Sequence, residues 1–244
     1  MDSGFYAACA GLRAQSQALE VSAHNLANLN TPGFRAQDVS FQSLLALVDP
    51  AAANELNHAI NNYGVLEGTH LDLSAGNVEM TGNPLDLAVE GEGFFAVQTS
   101  RGVRYTRGGS FRVSTTGELV TAAGDPVLGQ AGTIHVPTGA VSIGSDGTIS
   151  VAGAIAGSIQ LSEFPLGTEL QSEGDGLLCA PANRAQPALR TVVRQGALES
   201  SNVNAIRAMT ELIGVQRHAE LLGRALSMFD TEMNHIAAND LPRI

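Results

Sequence analysis

Near the C-terminal end of the chain, ten apolar positions recur in steps of three and four: Ala205, Ala208, Leu212, Val215, Ala219, Leu222, Leu226, Phe229, Met233 and Ile236. That alternation is the signature of one face of an α-helix. Ser201 or Asn202 can supply the capping oxygen at its start. Pro242 bars its continuation beyond Asn239. At 1.5 Å rise per residue, a helix over 203–238 would be about 50 Å long. This exceeds the width of a small domain, so part of the stripe is expected to meet something beyond the chain's own core. Burying one Leu is worth roughly 1.5–3 kcal/mol, and ten such positions will not stay in water.

The other end carries a weaker version. Residues 3–30 contain no Pro, and no Gly after Gly11. Phe5, Cys9, Leu12, Leu19, Ala23 and Leu26 form a heptad-like stripe, with Ser16 in its gap. It stops at Asn30-Thr31-Pro32-Gly33, because Pro32 lacks an N–H and moves Thr31 out of helical geometry. Pro followed by Gly suits the centre of a type II turn.

Between the ends the texture changes to short strands and turns. Leu85, Leu87 and Val89 alternate with polar or small residues. Strand-like runs at 94–98, 103–107, 111–114 and 118–121 follow, then 134–136 and 158–164. Ser145-Asp146-Gly147 is a hairpin signal between 141–144 and 148–151. A spacing of about 8–12 residues per strand argues for an all-β sandwich or irregular barrel. The expected fold class is therefore α+β: an all-β central domain inserted between long N- and C-terminal helices that form a coiled-coil-like assembly domain. The expected bounds are 1–35 for the first helix, 36–82 for an extended connector, 83–190 for the β domain, and 191–244 for the return segment and second helix.

Charge and special residues narrow the function. The net charge is −11 and all 13 basic residues are Arg, which disfavours general nucleic-acid binding. Cys9 and Cys179 suggest neither a disulfide framework nor zinc. Cys9 lies on the apolar stripe and reads as a small buried hydrophobe. The N-terminus lacks the features of a secretory signal, and no run approaches the roughly 18 apolar residues of a membrane span. Taken alone, this predicts a cytosolic chain. The six histidines show no metal spacing, and no nucleophile or phosphate-loop motif is present. Arg101, Arg104, Arg107 and Arg112 read as a solvated hairpin paired with Glu90 and Glu92. Those two acids, two apart, give only a remote glycosidase reading. No cofactor and no metal are expected.

Three motifs then point to a family. Asn25-Leu26-Ala27-Asn28 with Thr31-Pro32-Gly33-Phe34-Arg35 resembles the N-terminal signature of bacterial flagellar rod and hook proteins. Gly91-Glu92-Gly93-Phe94-Phe95, followed by Tyr105-Thr106-Arg107-Gly108-Gly109-Ser110-Phe111, resembles the start of their β domain. Gly196-Ala197-Leu198-Glu199-Ser200-Ser201-Asn202-Val203-Asn204 resembles the opening of their C-terminal helix. The segments 124–129, 134–137 and 145–150 look most like the proximal-rod type, with the distal-rod type as the alternative. The resemblance implies a non-enzymatic subunit polymerising into the basal-body rod. It also implies export through the flagellar type III apparatus without a cleaved signal peptide, so the chain can work in the periplasm. Partners would be its own copies, neighbouring proximal and distal rod proteins, the export apparatus and the rod cap.

The residues expected to carry assembly are Leu12, Leu19, Asn25, Leu26, Asn28, Pro32, Gly33 and Phe34 at one end. At the other they are Asn202, Asn204, Leu212, Val215, Leu222, Leu226, Phe229 and Met233. Asn25 and Asn28 are expected to bond across subunit contacts or to cap the first helix. A different class of function, a β-domain carbohydrate-binding module or enzyme dimerised by a coiled coil, would show itself as a pocket with perturbed carboxylates.

Overall fold

The computed structural model describes residues 2–42, 65–165, 167–181, 183–188 and 190–240. They fall into two compact units. The first comprises residues 1–27, 37–70 and 204–244; the second comprises 28–36 and 71–203.

The first unit contains the helices α1 (Asp2–Ala27) and α2 (Ala205–Asp240). It also holds two strands, β1 (Gln37–Gln42) and β2 (Val65–Leu71), which pair with each other. Among the described side chains of α1 the buried ones are Ala14 and Ala18, and Gly11 lies against the Leu222 side chain. Asn25 finishes the helix by gripping β1: its amide donates to the Gln37 carbonyl at 2.8 Å, and its Oδ1 accepts the Gln37 N–H at 2.9 Å. Asn204 caps α2, its Oδ1 accepting the Arg207 N–H at 3.0 Å. The capping oxygen therefore comes from neither Ser201 nor Asn202, because the helix starts at Ala205, where the apolar stripe begins, and not at the expected residue 203.

The second unit is built on a six-stranded sheet that runs, edge to edge, through β15 (Gln171–Ser172), β16 (Leu177–Cys179), β6 (Gly102–Thr106), β5 (Phe94–Thr99), β14 (Leu161–Glu163) and β17 (Gln186–Pro187). Its centre is the hairpin of β5 (Phe94–Thr99) and β6 (Gly102–Thr106), with Phe95 opposite Thr106. Successive side chains of a strand face opposite ways, so adjacent Phe94 and Phe95 serve different cores. Phe95 joins Leu87, Val97, Leu119, Ile149 and others in the main cluster and meets Phe111 edge-on. Phe94 packs with Leu170 and Leu178 in a smaller one. Around this sheet lie short pairs: β4 (Leu87–Glu90) with β18 (Val192–Gln195), and β3 (Val78–Met80) with β19 (Ala197–Glu199). The expected hairpin is present: β11 (Val141–Ile143) pairs with β12 (Thr148–Val151) across residues 144–147.

The expected fold class is corrected in its helical part, while strands dominate between the helices as expected. Among the described residues the strands between the helices fall into seven sheets, one of six strands and six of two or three. Residues 134–136, expected as a strand, contribute only buried Ile134 and Val136 and one isolated bridge. The helices do not form a coiled coil. Knobs-into-holes packing needs large side chains at the seam. Among the described side chains of α1 the buried ones are alanines, while Leu12, Leu19 and Leu26 are only half-buried. Two helices in all are present among the described residues, with strands dominating between them.

Candidate functional site

The three motif segments, distant in sequence, converge in the second unit on one carboxylate, Glu199. The Asn28–Arg35 segment leads in from the first helix. Its turn closes with the Phe34 N–H on the Thr31 carbonyl at 3.2 Å, and Gly33 takes φ +70°, as a type II turn requires. A Cβ at Gly33 would overlap the Arg107 and Gly108 backbone, so two motifs touch only because glycine stands there. The Gly33 N–H donates to the Glu199 carbonyl at 2.7 Å.

The side chains complete the joint. Glu199 Oε1 sits 2.7 Å from Arg35 Nη2 and accepts the Gly76 N–H at 2.8 Å. Glu199 Oε2 accepts from Arg107 Nη1 at 3.2 Å. Arg107 also donates to the carbonyls of Val89 and Gly91, and its guanidinium lies 4.7 Å over the Phe94 ring. Arg35 and Arg107 are each 3% exposed, and Glu199 is 1% exposed. Burial pushes the Arg107 guanidinium below the ordinary arginine value; Glu199 acts to raise it and Arg35 to lower it. Nε and Nη1 of Arg35 and Nε of Arg107 find no hydrogen-bond acceptor among the described residues. Two buried guanidiniums therefore depend on one carboxylate.

Three residues further on, Asn202 makes a second clasp. Its Oδ1 accepts the Ala36 N–H at 2.7 Å, and its amide donates to the carbonyls of Asp72 and Ser74 at 2.9 and 3.1 Å. The Ser200 N–H reaches the Asn77 carbonyl at 2.7 Å. Residues 199–202 thus hold both the segment entering the unit, 33–36, and the segment that re-enters it, 72–78.

The other candidate residues are placed as follows. Asn28 accepts from the Thr31 hydroxyl at 3.1 Å. Pro32 is half-buried beside buried Gly33 and Phe34. Leu212, Val215, Leu222 and Leu226 are half-buried along α2. The side chains of Phe229 and Met233 lie outside the described part. The arginine cluster is not a solvated group facing Glu90 and Glu92. Arg101 and Arg104 both pair with Glu173 at 3.0 Å, Arg107 is buried on Glu199, and Glu90 pairs with Arg194 at 2.9 Å. The Arg35–Glu199–Arg107 cluster was missed in the sequence, where its members show no spacing relation; the only signal was that each lies inside one of the three motifs. This closed ionic joint can do positional work but no evident bond-making chemistry. No group of metal-binding side chains occurs among the described residues.

Comparison with known proteins singles out the same three segments. A family model of flagella basal body rod proteins matches residues 5–35. A model of the flagellar hook protein FlgE/F/G D1 domain matches 88–151. A model of the flagellar basal body rod FlgEFG protein C-terminal region matches 194–231. The chain is 37% identical to the flagellar basal-body rod protein FlgF of Escherichia coli K12, over 94% of this chain and 95% of that one. It is 33% identical to FlgF of Caulobacter vibrioides over the full length of both. It is 32% identical to FlgG of Bacillus subtilis, over 87% of this chain and 89% of the other.

Proposed function

The chain belongs to the flagellar basal-body rod protein family of the FlgF/FlgG type, and from that premise we propose how it works. It is a structural, FlgF-like subunit of the flagellar rod in the basal body, where it assembles with other rod components. The finer reading is that of a proximal rod subunit without catalysis of its own, packing against its own copies and against neighbouring proximal and distal rod proteins. It would reach its place through the flagellar type III export apparatus and under the rod cap. No helix among the described residues is long and apolar enough to cross a membrane.

The observation that carries this reading is the double clasp at Glu199 and Asn202. It fixes the start and the end of the second unit side by side, as a subunit that transmits torque requires. Assembly contacts then fall to the helical ends, with Leu12, Leu19, Leu26, Leu212, Val215, Leu222 and Leu226 as contributors and Phe229 and Met233 extending the face. Asn25, Asn28, Pro32, Gly33, Phe34, Asn202 and Asn204 set how the ends leave the turn and the clasp. The test is a charge in the helical end, Leu222→Asp or Leu226→Asp. The second unit should melt as in the parent chain, while rods are truncated and cells fail to swim. Normal swimming with both variants would contradict the reading.

A further inference from the structure

Residues 72–82 lie on the second unit without an apolar anchor. Only Asp72 and Gly76 among them are even half-buried, and Leu73, Val78 and Met80 stand in water, Met80 at 71% exposure. What holds the segment is polar. The Asp72 N–H donates to the Ala36 carbonyl at 2.8 Å. The other long-range hydrogen bonds of the segment, among the described residues, run to 196–202. Thr81 and Gly82 both donate their N–H groups to the Gly196 carbonyl, at 2.8 and 3.0 Å. β3 forms its ladder with β19, placing Glu79 opposite Leu198, and pairs with no other described strand. The Gly76 N–H reaches Glu199 Oε1, and the Asn202 amide holds the Asp72 and Ser74 carbonyls. Gly76 passes so close that a Cβ there would lie 1.9 Å from the Ser200 carbonyl oxygen.

The start of this segment also walls a cavity. Leu73, Ser74 and Ala75 line a space of about 340 Å³ together with Phe94, Phe164 and Leu170 of the smaller core cluster. Detaching residues 72–82 would bare this apolar wall, while water would replace the lost backbone bonds at modest net cost. The main core cluster and the six-stranded sheet include none of these residues and would stay whole. A segment with few buried apolar contacts and exposed backbone bonds opens ahead of a packed core.

We infer that residues 72–82 are a lid on this cavity, latched by residues 196–202, and that the lid opens as one piece while the rest of the second unit stays folded. The latch and the clasp share residues but not bonds. Glu199 holds the lid through Oε1 and Gly33 through its own carbonyl, so the lid can leave without freeing residues 33–36.

Hydrogen exchange of the full chain under native conditions tests this. After correction for intrinsic rates, the N–H groups of Gly76, Thr81 and Gly82 should share one opening and exchange about a hundredfold faster than those of β5 and β6. The Ser200 N–H, bonded to the Asn77 carbonyl, should exchange with the lid, and the Gly33 N–H with the slow group. Lid amides as slow as β5, or a Gly33 N–H that opens with the lid, would overturn the inference. A cross-link gives a second reading. In a chain carrying Cys9→Ala, Cys179→Ala, Glu79→Cys and Leu198→Cys, oxidation should slow the lid amides about tenfold relative to the reduced form. It should also lower the fluorescence of anilinonaphthalene sulfonate, an apolar-surface probe, because the cavity can no longer open. Equal exchange and equal fluorescence in the two forms would sink the latch even if the parent chain shows fast lid amides.

Discussion

Glu199 illustrates how much one side chain can decide. Its carboxylate holds two buried arginines and a backbone N–H, and its own carbonyl holds Gly33. Replacing both partners of a buried ion pair by apolar groups is often tolerated, but removing one partner leaves an uncompensated charge and costs about 3–5 kcal/mol. Glu199→Gln is therefore expected to destabilise the second unit by several kcal/mol in denaturant titration. Arg101→Gln, at a half-exposed pair, should cost under about 1 kcal/mol. Equal effects would remove Glu199 from its central place. Acid provides a second probe. The side-chain hydrogen bond from Arg104, with Arg101 nearby, holds the Glu173 carboxyl below its ordinary value. A carboxyl lowered in the folded state contributes fully above the unfolded value of about 4.3, and that contribution is lost as pH falls through the folded value. The melting temperature should therefore drop below about pH 4, and Glu173→Gln should lessen the drop between pH 5 and pH 3. An unchanged acid slope in the variant would show that this pair carries none of it.

The elements divide by how local their causes are. The end of α1, the Pro32-Gly33 turn and the 141–151 hairpin are set by short-range chemistry: a missing N–H, a glycine at positive φ, an Asp146-Gly147 turn in which Asp146 accepts from the Thr148 N–H at 3.0 Å. These were legible in the sequence. The role of α1 was not. Its leucines form the more visible stripe, but its buried positions among the described side chains are Ala14 and Ala18, with Gly11 against Leu222. Small residues carry little hydrophobic signal, and close helix approach depends on their lack of bulk. Ala14→Leu should accordingly be the more damaging exchange, overpacking the contact at about 1–3 kcal/mol, whereas Leu19→Ala removes a half-buried side chain. Thermal melts of the two variants should rank them in that order; the reverse order would place the packing face on the leucines.

For the whole molecule, the clasp makes the second unit a closed body whose first and last segments are neighbours. Limited proteolysis should leave a resistant fragment ending near Val203, with residues 28–36 retained by hydrogen bonds even after cleavage elsewhere. Loss of 28–36 from the fragment under native conditions would mean that the clasp does not hold in solution. The same closure explains why sequence spacing located the three motifs but not their joint. Arg35, Arg107 and Glu199 are 72 and 92 residues apart in turn, and no periodicity of 2.0 or 3.6 reports on such distances.

By itself the sequence determined the helical ends, the strand-and-turn character between them and the resemblance to rod and hook proteins, because each rests on local periodicity, turn residues or short motifs. Tertiary structure alone decided that the strands form many small sheets, that Arg107 is buried against Glu199, and that α1 buries its alanines. Those outcomes depend on which surfaces meet, and a buried charge or a small side chain acquires its energetic weight only from the neighbours that exclude water around it.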